Sequence, residues 1–172
     1  VYKRQGHHIG CHSYQHELSF RFNKKTFEAD TLKAKNLIED IIGEEVNAFR
    51  APGFSITKNN VWALRSLAEM GFRYDCSIFP ASHDYGGMPS YGEGIPKRID
   101  VGGGRIIKEF PIGVHQVVGR HIVFSGGGFF RLFPYWLINH WGKHSDYMMT
   151  YFHPRDFDTC LLYTSPSPRD IS

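Results

Sequence analysis

Short apolar segments alternate with amphipathic helical segments along the first half of this chain, and this order constrains the fold more than any other feature. Residues 26–42 and 57–70 carry apolar side chains at helical spacing, each is followed by a glycine, and Thr57 is the predicted N-cap of the second. Residues 47–50 and 72–78 are predicted strands. Since a strand–helix–strand order places strands in parallel, the sequence predicts an α/β fold.

The second half of the chain is less regular but continues the same architecture. A loop rich in Gly and Pro is predicted, and a run of three glycines precedes the last helix. No internal repeat and no interdomain linker interrupts the pattern. The remaining predicted elements are a loop at 80–96, a helix at 129–141, and strands at 7–12, 106–112, 117–124 and 147–152.

Three short motifs lie at or just after the ends of predicted strands. They are HSYQH at 12–16, RAPGFS at 50–55 and YFHP at 151–154. In parallel α/β folds the loops that follow strand ends converge on one edge, where active sites collect. We therefore predict that the three motifs contribute to one site.

The residue types in these motifs are suited to metal and proton chemistry. Two imidazoles four residues apart, His12 and His16, can face the same way on one helical turn and hold one metal ion. Arg50 in a Pro/Gly turn can clamp a carboxylate, and His153 is placed to move a proton. Taken singly, each motif is also compatible with surface or structural residues.

The segment GHHIGCHS at 6–13, together with these motifs, resembles the polysaccharide deacetylase family, which is built on the NodB homology domain. The resemblance implies an incomplete, distorted (β/α) barrel. It also makes His12 and His16 ligands of a divalent metal, with zinc preferred. The family commonly has Glu where His8 stands, a departure that leaves both ligands intact.

The same resemblance implies catalytic roles for four further residues. His153 is the general acid that protonates the leaving amine, and Arg50 orients the catalytic carboxylate. Gly53 offers a backbone N–H to the developing oxyanion. Asp75 matches the aspartate that tunes the catalytic histidine, although an ordinary polar residue at a strand end is the alternative.

Segments of the second half resemble a subgroup of the family found in exopolysaccharide biosynthesis. They are residues 77–80, 126–134 and 151–158. The glycine run at 126–128 lacks the Lys-Ser/Thr of a P-loop and the spaced glycines of a dinucleotide fold, so both nucleotide sites are rejected. The residues at 83–85, His-Asp-Tyr, lie in the predicted loop and are candidates for substrate contact.

We therefore predict a metal-dependent hydrolase that removes acetyl groups from N-acetylated amino sugars of a polysaccharide or oligosaccharide, by cleavage of a C–N amide bond. Two alternatives stay open. One is a catalytically inactive, glycan-binding relative, against which the intact metal pair and acid argue. The other is an extracellular peptidoglycan or chitin deacetylase. The subgroup segments favour a bacterial exopolysaccharide enzyme and a cytoplasmic location over export, a preference that a cleavable signal peptide would reverse.

Both ends of the chain are predicted to be foreign to this domain. Residues 1–5 can be encoded by GTG TAT AAG AGA CAG, whose reverse complement, read one base along, encodes Cys-Leu-Leu-Tyr-Thr, the sequence at 160–164. This pair resembles the inverted transposon end used in DNA library preparation, and a natural Ser/Pro tail is the alternative. We expect a partial deacetylase domain at 6–159, with 1–5 and 160–172 as non-native ends.

Composition excludes several classes of partner. The chain of 172 residues carries 20 basic and 17 acidic side chains, but three of the basic and one of the acidic residues fall in the suspected ends. The remaining 17 basic and 16 acidic groups give no reason to expect nucleic acid or an anionic membrane as a partner. No stretch approaches the length of a membrane span. Cys11 and Cys76 have no zinc-ligand spacing, and Cys11 is predicted to be a small core residue.

One part of the family pattern is absent from residues 6–159. The family begins with a Thr-Phe-Asp-Asp-Gly-type motif, in which one Asp is the general base and the other is the third metal ligand. No Asp-Asp pair occurs in this segment. We therefore expect both groups to lie upstream of Gly6, and we expect residues 6–159 alone to bind metal poorly and not to turn over.

Overall fold

The structure, a computed structural model, describes residues 5–83 and 86–157. The described part is a mixed α/β arrangement, as the sequence predicts. Its strands are β1 (Ala48–Phe49), β2 (Tyr74–Asp75), β3 (Ser82–His83), β4 (Gly86–Gly87), β5 (Lys97–Gly102), β6 (Arg105–Glu109), β7 (Val114–Val117) and β8 (Arg120–Val123). Its α-helices are α1 (Lys24–Ile42), α2 (Trp62–Glu69), α3 (Gly127–Leu132) and α4 (Tyr135–Lys143).

The central sheet has four strands in the order β1-β2-β6-β5. Strands β1, β2 and β6 run parallel, and β5 pairs antiparallel with β6 at the edge. The parallel part confirms the prediction from the strand–helix alternation. The sheet is open within the described ranges, so the predicted distorted barrel stays a prediction. None of the helices in these ranges is long and apolar enough to cross a membrane.

Helix α1 begins and ends at sequence signals of the expected kind. Asn23 is the N-cap: its side chain accepts a hydrogen bond from the Thr26 N–H at 3.0 Å, and the Thr26 hydroxyl accepts one from the Asn23 N–H at 3.1 Å. Gly43 ends the helix in the left-handed conformation, with φ of 69°. The predicted start at residue 26 was late because the reciprocal cap extends the helix to Lys24.

Helix α2 is shorter than the predicted segment 57–70. Thr57 does not cap it, because the Thr57 N–H donates to the Asn60 side chain at 2.7 Å in a separate turn. The helix begins five residues later, at Trp62. Side chains of α1, α2, β1 and β6 form the main core, including Phe27, Phe49, Leu64, Leu67, Phe72 and Ile107.

The second half differs most from the sequence expectations. The predicted strand 117–124 is a hairpin of β7 and β8, because Val118 and Gly119 both have positive φ and form its turn. The predicted helix 129–141 is two helices, α3 and α4, interrupted before Pro134, which lacks the N–H that a continuous helix requires.

Residues 147–152 are not a strand in the structure, although the sequence predicted one. The segment instead offers isolated carbonyl groups: Met149 accepts from the Gly113 N–H at 3.3 Å, and Tyr151 accepts from the Gly127 N–H at 2.9 Å. The predicted first strand, 7–12, is reduced to a single parallel bridge between Cys11 and Phe49.

Candidate active site

The sequence-predicted motifs meet at one edge of the central sheet. Arg50 directly follows β1, and Asp75 is the last residue of β2. Glu109 is the last residue of β6 and lies opposite Asp75 in the pairing of these two strands. The bridge between Cys11 and Phe49 brings His12 to the same edge. The predicted convergence of the first two motifs at strand ends is therefore confirmed.

His12 is oriented by the backbone of Arg50. Its Nδ1 lies 2.6 Å from the Arg50 carbonyl oxygen, and the Arg50 N–H donates to the Cys11 carbonyl at 3.0 Å. Because a carbonyl oxygen can only accept, Nδ1 carries the hydrogen and Nε2 keeps its lone pair. A backbone carbonyl on the second ring nitrogen is the usual outer contact of a metal-binding histidine.

His16 lies beside His12, but not on a helix as the spacing suggested. The two ring centroids are 5.0 Å apart and the rings are nearly perpendicular. The connecting residues form a loop in which Ser13 and His16 have φ of 68° and 56°. The helical-turn geometry predicted for the pair was therefore wrong, since two left-handed residues bring the rings together instead.

The third motif lies beside the turn that follows Arg50, although it is far from that turn in sequence. The centres of the Tyr151 and Phe54 rings are 5.0 Å apart. Burial lowers the pKa of His12, the hydrogen bond to the Arg50 carbonyl opposes this, and the charges of His16, Arg50 and His153 lower the pKa further.

The His153 side chain is 51% exposed and faces a buried carboxylate, Asp156. The Asp156 Oδ2 atom lies 3.5 Å from His153 Nδ1 and accepts a hydrogen bond from the His153 N–H at 2.7 Å. The same side chain, only 8% exposed, lies 3.7 Å from an Arg131 guanidinium nitrogen. Asp156 therefore fixes the backbone of His153 and places a negative charge beside its ring.

Arg50 reaches into the site with an incomplete set of partners. One terminal nitrogen lies 3.6 Å from the Met149 sulfur, and the guanidinium carbon lies 5.6 Å from the centre of the Phe54 ring. Its Nε atom is buried and has no hydrogen-bond partner in the described part of the chain. A carboxylate is the group that a guanidinium in this state would bind most strongly.

Gly53 lies in the short 3₁₀ turn Pro52–Phe54 that follows Arg50. It adopts φ of 59°, a left-handed conformation that glycine accepts without strain. Its carbonyl lies 3.1 Å from His83 Nε2, so this loop histidine contacts the turn. Asp84 and Tyr85, the other two loop candidates, lie outside the described residues.

Asp75 is fully buried, and its carboxylate contacts Ser77 rather than His153. The Ser77 hydroxyl donates to one oxygen at 2.6 Å and the Ser77 N–H to the other at 3.2 Å. In the described ranges no hydrogen bond joins Asp75 to a histidine ring, and the carboxylate beside His153 is that of Asp156. The role implied for Asp75 in tuning the histidine stays a prediction.

A second buried carboxyl group, Glu109, lies against Asp75. Burial raises the pKa of Glu109 well above its ordinary value, and the charge of Asp75 and a hydrogen bond to it raise the pKa further. Burial also raises the pKa of Asp75, which hydrogen bonds from Glu109 and Ser77 oppose. Glu109 Oε1 accepts from the Ile78 N–H at 3.1 Å, whereas Oε2 is buried and has no hydrogen-bond partner in the described part of the chain.

The glycine run at 126–128 packs against the motif that carries His153. A methyl group on Gly126 would lie 2.7 Å from the Tyr151 carbonyl oxygen and 2.9 Å from its nitrogen, and Gly126 has φ of 125°. The Gly127 N–H donates to the Tyr151 carbonyl. These glycines therefore allow close backbone approach two residues before His153, which accounts for them without a phosphate.

Cys11 and Cys76 are the cysteines among the described residues, and neither forms a disulfide bond. Both are free, and Cys11 is 2% exposed in the main core, which confirms the predicted packing role. Burial raises the pKa of both thiols, and the charge of Asp75 adds to this effect at Cys76. Neither sulfur is therefore favoured as a thiolate.

His12 and His16 have side chains of the type that binds a metal ion, but tetrahedral coordination requires two further ligands. The Nε2 atom of His12 is unprotonated and available, and neutral imidazoles suit zinc and similar ions. No cluster of three or more His, Cys, Asp or Glu side chains suited to a metal occurs among residues 5–83 and 86–157.

Sequence reasoning missed three acidic residues of this region. Glu109 ends an apolar strand beside Asp75, and its position at a strand end is the signal that could have indicated it. Asp156 lies three residues after His153, a spacing that favours a turn in which its carboxylate accepts the His153 N–H. Asp30 sits in a helix and contacts the histidine loop, and no sequence signal distinguished it.

Comparison with known proteins shows what this chain is similar to. Residues 2–74 match the family described as polysaccharide deacetylase, and residues 76–167 match a domain of unknown function, DUF3473. The second match covers more than half of the chain, so the chain carries this domain, and the first match supports the polysaccharide deacetylase family for residues 2–74. The second match extends past residue 159, and the domain limits predicted from the sequence stay a prediction.

Two relatives illustrate the match. A peptidoglycan deacetylase of Helicobacter pylori is 35% identical over 75 residues, which make up 42% of this chain and 24% of that protein. A crystal structure from Mycobacterium smegmatis, described as a polysaccharide deacetylase, shares the fold with a TM-score of 0.50 and 24% identity. That match covers 65% of this chain and 34% of the other, so this chain matches only 24% and 34% of the two relatives' lengths.

Proposed function

We propose that the protein carrying this chain is a metal-dependent hydrolase that removes acetyl groups from N-acetylated amino sugars of a polysaccharide or its precursor. The similarity to the polysaccharide deacetylase family and to a peptidoglycan deacetylase supports the reaction class. The observation that carries the metal dependence is the pair of adjacent imidazoles, one of which has its Nδ1–H bonded to the Arg50 carbonyl and its Nε2 free.

In this proposal His12 and His16 hold a divalent metal, with zinc preferred because both ligands are neutral nitrogens. When bound, the metal supplies Lewis-acid polarisation of the acetamide carbonyl and of a water molecule. Two further positions would be filled by a ligand outside the described residues and by water. The family pattern makes that ligand an aspartate.

The other residues of the site divide the remaining work. Hydroxide from the water adds to the acetamide carbon while a carboxylate base takes the water's proton, and Arg50, with its unpartnered Nε, orients that carboxylate. The Gly53 N–H donates to the oxyanion of the tetrahedral intermediate. His153 then protonates the amine as the C–N bond breaks, which yields acetate and a free amino sugar.

His153 is suited to this step by its surroundings as well as by its position. Its ring is half-exposed, so it can reach a large substrate, while Asp156 restrains its backbone and faces Nδ1. A carboxylate beside one ring nitrogen can fix the orientation of the imidazole toward the leaving amine. In the proposal, Asp156 therefore takes the supporting position that the sequence resemblance gave to Asp75.

Two substrate classes have support. The resemblance of residues 77–80 and 126–134 to the exopolysaccharide subgroup favours an exopolysaccharide or its precursor and, with it, a bacterial cytoplasmic location. The similarity to a protein described as a peptidoglycan deacetylase favours the cell-wall polymer instead. Ser77 donates a hydrogen bond to Asp75, and Gly126 allows close approach of the Tyr151 backbone. Because both residues have structural roles, the resemblance of these segments indicates the subgroup of the family more than it indicates the sugar that is bound.

The test is turnover by the protein encoded by the complete gene, including any sequence before Gly6. It is incubated with zinc and, separately, with a soluble N-acetylated exopolysaccharide, chitin oligomers and peptidoglycan, and released acetate and new free amines are counted. The proposal expects equal amounts of both from at least one polymer. Tight binding of a polymer with no acetate from any of the three would instead support the inactive glycan-binding relative.

A further inference from the structure

Asp30, on α1, holds the loop that carries both histidines. The residue is 6% exposed. Its Oδ2 atom accepts hydrogen bonds from the Ser13 hydroxyl at 2.7 Å and from the Tyr14 N–H at 2.9 Å, and its Oδ1 atom accepts from the Gln15 N–H at 2.9 Å. One carboxylate thus binds all three residues between His12 and His16.

The loop depends on such an anchor because its conformation is uncommon. Ser13 and His16 both have positive φ, which costs a residue with a side chain of order 1 kcal/mol or more unless its surroundings fix it. No helix or strand hydrogen bonding is assigned to residues 12–16. The Ser13 hydroxyl also accepts from the His16 N–H at 3.1 Å, so Asp30 is connected through Ser13 to the second histidine.

Helix α1 is a firm platform for this anchor. Its N-terminus is capped by Asn23, and Phe27, one turn before Asp30, is buried in the main core between Phe49 and Trp62. A second contact comes from the same helix, where the Lys33 ammonium lies 3.8 Å from the centre of the Tyr14 ring. Helix α1 therefore contacts the loop at two positions, and the contact made by Asp30 is the buried one.

We propose that Asp30 is a positioning residue for the metal ligands: it fixes the loop so that the His16 ring lies beside the His12 ring and both imidazoles can bind one ion. This inference rests on the proposed function. Asparagine is a sharp probe, because it has the same shape but replaces one acceptor oxygen with an NH2 donor. That donor would face either the Gln15 N–H or the Ser13 and Tyr14 donors.

The experiment measures zinc affinity of the complete protein by competition with a chromophoric chelator. Wild type is compared with Asp30→Asn and with Asp40→Asn, a matched change at an exposed position of the same helix. Loss of an outer contact to metal ligands weakens binding by about 10–100-fold. We expect an effect of that size for Asp30→Asn and less than about a twofold change for Asp40→Asn.

Ser13→Ala provides a second variant in the exposed loop, in case Asp30→Asn does not fold. It removes the hydroxyl that joins Asp30 to the His16 N–H, and we expect weaker zinc binding with an unchanged melting temperature of the metal-free protein. Wild-type affinity in both folded variants would overturn the positioning role and leave the proposed function standing. A folded wild-type protein that binds no zinc would overturn the proposed function, and this inference with it.

Discussion

A single backbone carbonyl determines which nitrogen of His12 is available for chemistry. The Arg50 carbonyl takes up Nδ1–H, and the rest of Arg50 extends toward Phe54 and Met149 with Nε unpartnered in the described structure. One residue thus orients a proposed metal ligand with its main chain and offers a carboxylate clamp with its side chain. Because of this double role, an arginine directly after a predicted strand indicates a residue of the site.

Replacement of His153 tests the proposed general acid. Without a proton donor at this position the amine must leave unprotonated or draw its proton from water, so His153→Gln is expected to lower kcat by about 10²–10⁴-fold with little change in KM. Acetate release from the best polymer measures both constants. The control is His140→Gln, which changes an exposed histidine on α4. Near-wild-type turnover by His153→Gln would show that His153 is not the general acid.

Replacement of Glu109 by Gln tests the buried carboxyl pair. Because the pKa of Glu109 is raised above its ordinary value of 4.5, the folded state binds a proton that the unfolded state releases, so its contribution to stability is lost as pH rises. Glu109→Gln removes this proton while keeping the acceptor for the Ile78 N–H. Denaturant unfolding of both proteins from about pH 5 to about pH 8 measures the difference.

The expected result is that wild type loses stability relative to Glu109→Gln as pH increases. Comparison of the two proteins cancels titrating groups that do not contact Glu109, including His12, whose lowered pKa acts in the opposite direction. Parallel stability curves would show that Glu109 titrates normally in the folded state.

At the residue scale, local motifs could predict His12, His16, Arg50 and His153, because each sits in a short sequence pattern at a strand end or turn. Asp30 could not be identified in the same way. It reaches the site from 14 residues beyond His16 along a helix, and only the packing of α1 on the sheet brings it there. Its contacts are tertiary, and single-sequence patterns do not encode them.

At the scale of elements, Gly126 allows the start of α3 to pack closely against the segment before His153. Gly126→Ala is expected to destabilise the protein by more than about 2 kcal/mol, because the new methyl would overlap backbone atoms of Tyr151 and φ is 125°. Gly128→Ala is the matched control: it has open space and lies inside α3, where Ala is favoured by about 0.5–1 kcal/mol. Thermal and denaturant unfolding measure both.

Opposite signs for the two glycine variants are the expected outcome, with loss of activity confined to Gly126→Ala. Equal effects would mean that helix propensity, rather than close approach to Tyr151, governs this run of glycines.

Elements with local signals were predicted well, and elements defined by pairing were not. Helix α1 has a reciprocal cap, an apolar face and a terminal Gly43, all readable from sequence. Strand β5 was missed because it is an edge strand in which Lys97, Arg98 and Asp100 alternate with Ile99 and Val101. Its pairing with β6 across the turn at 103–104 determines its conformation more than its own composition does.

At the scale of the whole molecule, the chain supplies one edge of an α/β sheet with two imidazoles, a guanidinium and a general-acid candidate. It spans 24% of its Helicobacter pylori relative and 34% of the Mycobacterium smegmatis structure, so activity is a property to be tested on the complete protein. The base and the third metal ligand remain proposals at this scale. The sequence could predict the family because its motifs are local, whereas closure of a barrel depends on the complete set of strands.

The most direct measurement is acetate release by the complete protein before and after removal of its metal, with zinc then added back. The account predicts that chelation abolishes release, that zinc restores it in wild type, and that His12→Ala and His16→Ala are not restored. Full activity in verified metal-free wild type, or in either histidine variant, would contradict the central claim that this histidine pair is the metal site of a deacetylase.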